Sequence, residues 1–123
     1  MSGKTEKLSS WRPQGIPMDE PERVAYRQLA VEAVFSIWNT EHRPAQLREI
    51  YIKVQEKIQI LSTLGQWPYH YRSKRSIDRR VNEAASPAYC EGESPKIVAV
   101  TAGVYMANPT LFEPPKLKQD AEI

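Results

Sequence analysis

Apolar and polar positions along the chain alternate at helical spacing in three stretches and give way to two β-prone runs near the end. The first stretch opens at Asp19-Glu20-Pro21-Glu22. It offers a capping aspartate, a proline suited to a first turn and carboxylates that face unpaired N–H groups. From there to about Trp38, Val24, Val31, Val34, Phe35 and Trp38 gather on one side, while Tyr26, Leu29, Ala30, Ala33 and Ile37 cover much of the other. A helix apolar on two sides packs on two sides, so this one is expected at the centre of the domain. A polar break, 39–43, ends it, and Pro44 suits the first turn of a second helix. There Leu47, Ile50, Tyr51, Val54, Ile58 and Leu61 form a single stripe, closed by Gly65 and Pro68.

The loop at 66–72 carries Trp67, Tyr69 and Tyr71. A third, shorter helix follows over 73–86. Ser73 or Ser76 can cap it, Asp78 falls in its first turn, and Ile77, Val81, Ala84 and Ala85 make a narrow small-residue stripe. Pro87 stops it. The β-prone runs 96–100 and 104–108 are joined by Thr101-Ala102-Gly103, a connection in which glycine takes the left-handed position of a hairpin. A lone hairpin is marginal in water and must lean on the helices. The expected fold is therefore α+β and mainly helical, a three-helix winged helix with a C-terminal β-hairpin wing. Its expected core joins Val31, Phe35, Ile50, Val54, Ile77, Val81 and Ile97.

A chain of 123 residues with ten prolines allows one domain, read as 19–108, with tails at 1–18 and 109–123. Neither tail has an apolar period, so both are expected to be mobile. The longest apolar runs fall far short of the ~20 residues of a membrane helix. Lys4 and Lys7 are followed by no apolar stretch, so no secretory leader is expected, and the single Cys90 fits a reducing, cytoplasmic setting. An enzyme is not expected. Cys90 lies beside Glu91 and Glu93, which disfavour a thiolate, His42 and His70 have no ligands at metal spacing, and the five glycines form no phosphate loop. No cofactor or metal is implied.

The net charge of +2 matters only through its distribution. Residues 72–80 hold Arg72, Lys74, Arg75, Arg79 and Arg80 against Asp78. At about 100° per residue, a helix that turns Ile77, Val81, Ala84 and Ala85 inward turns Arg75, Ser76, Arg79, Asn82 and Glu83 outward. Arginine and asparagine carry donors that suit base edges in the major groove. Arg72, Lys74 and Arg80 are placed to meet phosphates, as are Lys96 at the hairpin base and Thr101 at its tip. The plainer alternatives are a solvated basic face and a hairpin that only covers the helices.

The pattern of Arg75, Ile77, Arg80-Val81, Ala84, Pro95-x-Ile97 and Gly103-Val104-Tyr105 resembles winged helix-turn-helix domains of phage and prophage proteins, over about a third of the chain. The resemblance implies duplex-DNA binding through 73–86 with 96–108 as wing, in a transcriptional regulator or an accessory replication factor. The long aromatic loop and the long second helix depart from that pattern. Two rival expectations stand beside it. One is an adaptor that binds a protein partner through the second side of the first helix or through the aromatic loop. The other is a single-strand or RNA binder that stacks bases on Trp67, Tyr69 and Tyr71, residues that otherwise pin their loop to the core.

Overall fold

The computed structural model describes residues 17–111, which form an α+β unit, mainly helical, with three helices and a small antiparallel sheet. In chain order these are α1 (Glu20–Glu41), β1 (Ala45–Gln46), α2 (Leu47–Thr63), α3 (Lys74–Ala84), β2 (Ile97–Thr101) and β3 (Val104–Ala107), with one 3₁₀ turn at Pro87–Tyr89. The strands lie in the order β1-β3-β2. The expected mobility of the tails concerns 1–16 and 112–123, which lie outside the described residues. Met18, assigned by sequence to the tail, packs against the core.

Asp19 caps α1 by accepting the Glu22 N–H at 3.1 Å. His42, in the left-handed conformation with φ 56°, closes the other end through its N–H to the Trp38 carbonyl. The helix buries Tyr26, Leu29, Ala30, Ala33, Val34 and Ile37 against α2, α3 and β3. The expected two-sided burial is met only in part: Val34 of the second side is sealed, but its neighbours are not. Val31, Phe35 and Trp38 are half-buried, and Val24 is 45% exposed. Spacing reveals that a second apolar side exists, but only the tertiary arrangement decides whether anything covers it.

On α2 the predicted stripe is the buried one: Ile50, Val54 and Ile58 are sealed, with Leu47, Tyr51 and Leu61 packed at its margins. Ile77, Val81 and Ala84 of α3 and Ile97 and Tyr105 of the hairpin complete the same cluster. Phe35, expected at its centre, lies at its edge together with Val31. Truncation should therefore be costliest elsewhere. Ile50→Ala is expected to lose about 2–5 kcal/mol, and Phe35→Ala distinctly less than Ile50→Ala. Equal losses in urea denaturation would contradict this placement.

The start of α2 corrects a second expectation. Pro44 does not open the helix. It precedes a two-residue strand in which Ala45 pairs with Tyr105 and Gln46 with Val104, and α2 begins at Leu47. Glu49 marks that boundary: its carboxylate accepts the Gln46 N–H at 2.9 Å and the Arg43 guanidinium bidentately at 2.9 and 2.7 Å. Arg43, then the Gln46 amide, holds the Glu49 carboxyl down at about 2, against an ordinary 4.5. A depressed folded-state value means stabilisation that is present above pH 4.5 and disappears as pH falls toward 2. Comparing the parent with Glu49→Gln across that window should show a difference in thermal midpoint that shrinks with acidification. The effect is modest, because both side chains are partly exposed. A difference independent of pH would refute the assignment.

The hairpin forms where predicted, with Gly103 left-handed at φ 77°. Thr101 is still in the ladder opposite Val104, and the register shifts between Ala99 and Thr101, so a bulge shortens the link to Ala102-Gly103. The turn is not a projecting tip. The Gly103 carbonyl accepts the Leu47 N–H at 2.9 Å, tying it to the start of α2. At the other end, buried Asn108 donates to the Pro95 carbonyl at 2.8 Å and receives Thr110.

Candidate functional site

The route into α3 is set by the aromatic loop. Trp67 meets Tyr26 of α1 edge-on at 5.1 Å and Tyr69 at 5.0 Å. The Tyr26 hydroxyl donates to the His70 carbonyl at 3.0 Å, and burial, reinforced by Glu22, pushes its pKa up so that it remains a donor. Two of the three loop rings are thus packed inward, leaving Tyr71 exposed. Beyond it, Ser73 caps α3 by accepting the Ser76 N–H at 3.2 Å. Asp78 lies past the first turn and so is not one of its capping acids.

The five cations of residues 72–80 have different fates. Arg72 is buried and does not face outward. Its Nε and Nη2 donate to the two Glu22 carboxylate oxygens at 2.7 and 2.8 Å, with side-chain exposures of 2% and 5%. That carboxylate raises the Arg72 pKa further. Arg80 is buried as well. It pairs with Glu83 at 3.1 Å and rests Nη1 on the Met18 sulfur, while burial lowers its pKa. Both were expected to meet phosphates, and both are instead structural. Glu83, expected outward, is buried between Arg80 and Arg27, whose Nε donates to it at 2.9 Å. Burying an arginine brings its acid with it, because an unpaired charge in the interior is costly.

Lys74 is exposed and salted to Asp78 at 2.6 Å, with its ammonium 5.8 Å from the Tyr51 ring centre. Arg75 and Arg79 are exposed, one helical turn apart, and make no ion pair among the described residues. Asn82 is exposed and accepts a hydrogen bond from the Tyr105 hydroxyl, whose pKa burial raises, with Asp78 adding to the shift. Lys96 and Thr101 are exposed too, but at opposite ends of β2.

A cleft of about 680 Å³ runs along α3. It brings Arg75, Ser76, Arg79 and Asn82 together with the inner Arg72 and Arg80, and leaves out Lys74, Lys96 and Thr101. Its opposite wall is the chain entry at Pro17-Met18 and Arg23 of α1. Arg23 was not anticipated. It lies more than fifty residues before Arg79, and its position in the first turns of α1 carries no signal of that proximity. Among the described residues, no group of three or more His, Cys, Asp or Glu side chains could hold a metal ion, and no helix is long and apolar enough to cross a membrane. Comparison of the chain with protein-family models, curated proteins and solved structures gives no match.

Proposed function

We propose that this chain is a winged-helix protein that binds duplex DNA, with α3 in the major groove and the β2–β3 hairpin beside it. The observation that carries the reading is the state of Arg75 and Arg79. Within a run whose other cations are all paired, these two remain exposed on one helix face without a counter-ion among the described residues. Their guanidinium forks suit the acceptor edge of guanine, and Asn82 lies on the same face. The opposite face, Ile77, Val81 and Ala84, anchors the helix in the core. The element order, with strands arranged β1-β3-β2, suits a winged helix. The hairpin is short, so Thr101 and Lys96 are reduced to flanking phosphate contacts.

Titration of a labelled duplex by fluorescence anisotropy tests this. Affinity should fall steeply from about 50 to 200 mM salt, and Lys74→Ala should weaken all sequences alike while reducing the salt slope by about one. A second reading, docking to a protein, rests on Ile60 and Leu64, one turn apart at the end of α2 and 56% and 62% exposed. Apolar docking of that kind is nearly indifferent to salt, and an absence of duplex binding at low salt would favour it.

A further inference from the structure

We infer that the cleft between the start of α1 and the outer face of α3 holds a backbone phosphodiester, with Arg23 as a positioned contact contributed from outside the recognition helix. This deepens the proposed function and rests on it. The charges lining the cleft decide the ligand class. Arg72 is neutralised by Glu22 and Arg80 by Glu83, while Asp78, the one carboxylate on the wall, is neutralised by Lys74. What remains is Arg75 and Arg79, without an ion pair among the described residues, and Arg23, whose partner Glu20 is exposed and 3.6 Å away, around a polar space that Ser73, Ser76 and Asn82 also line. Such a space is suited to an anion, since these cations outnumber its one carboxylate, Asp78, whose Oδ2 is held by Lys74 while its Oδ1 is buried without a hydrogen-bond partner among the described residues.

Arg23 is held in place. Its Nη1 donates to the Met18 carbonyl at 2.7 Å and its Nε lies 3.6 Å from the exposed Glu20 carboxylate, so little freedom is lost when it takes up an acceptor. A phosphodiester fits better than a free anion because the cleft is continuous with the face bearing Arg75 and Arg79. A strand lying on α3 therefore carries its phosphates into it.

Arg23→Gln removes the charge and keeps a polar amide at this position. In the anisotropy assay it should weaken every duplex alike and lower the salt slope by about one. Glu20→Gln, at a 61% exposed side chain, removes the competing carboxylate and should tighten binding about two- to five-fold. If Arg23→Gln keeps the parental affinity and slope while Arg75→Ala and Arg79→Ala still weaken binding, the cleft site falls and the proposed function stands. If the parent shows no salt-dependent duplex binding, both fall. Should Arg23→Gln prove unfolded by its thermal midpoint, Glu20→Gln decides: unchanged affinity overturns the inference.

Discussion

Glu22→Ala is expected to cost about 3–5 kcal/mol, a loss as large as that of truncating a sealed core residue. The substitution leaves the Arg72 guanidinium in a site where its side chain is 2% exposed and its two strongest acceptors have vanished. The Coulombic gain of the intact pair only offsets the desolvation of two ions, whereas removing the carboxylate takes away the gain and keeps the desolvation of the guanidinium. Arg72→Ala should be similarly harmful. The double change Glu22→Leu with Arg72→Met should lie close to the parent, or above it, because well-packed apolar groups of similar size need no desolvation. Urea midpoints at constant slope measure all three. A loss below about 1 kcal/mol for the single variants would mean that the pair behaves like an exposed one. The pair also joins the start of α1 to the residue before the Ser73 cap, so its loss should loosen the entry to α3. Any weakening of DNA binding in Arg72 variants is then secondary to stability, unlike a lost phosphate contact.

The second large effect is functional. Arg75→Ala and Arg79→Ala should each cost about 1–3 kcal/mol of binding where the side chain reaches a base edge, and reversing both to glutamate should abolish duplex binding. Folding should survive. Both side chains are exposed, the Ile77–Val81 stripe and the Ser73 cap are untouched, and such surface changes usually stay within about 0.5 kcal/mol. A glutamate at position 75 even sits in the first turn of α3, where the helix dipole favours negative charge. Like charge would then oppose the phosphates. A folded double variant that binds duplex DNA as well as the parent would falsify the recognition-helix reading and turn attention to Ile60 and Leu64.

The sequence by itself determined what depends on neighbours within about four residues. The Asp19 and Ser73 caps, the α2 stripe from Leu47 to Leu61, the inward Ile77 and Val81 and the left-handed Gly103 all follow from helix period, caps and turn chemistry. Those interactions are local, so their spacing is written in the chain. The exposure of Arg75 and Arg79 was legible in the same way, as the positions opposite an apolar stripe.

Tertiary structure decided which charges were free to act. The helical period turns Arg75 and Arg79 outward but is silent on Arg72 and Arg80: Glu22 takes up Arg72 from fifty residues away, and Glu83 draws in Arg80 and Arg27 together. A linear pattern counts charges but does not name their partners, and the cost of burying an unpaired ion makes the partner decisive. The same holds for β1. Two residues are too short for a period, and Ala45–Gln46 is a strand only because β3 lies beside it. Tertiary packing also decided which rings of the aromatic loop turn inward, with Trp67 resting on Tyr26 and Tyr71 left exposed, and it placed Phe35 at the edge of the core. Finally, it brought Arg23 across from Arg75 and Arg79, because a cleft exists only once two elements distant in sequence have packed.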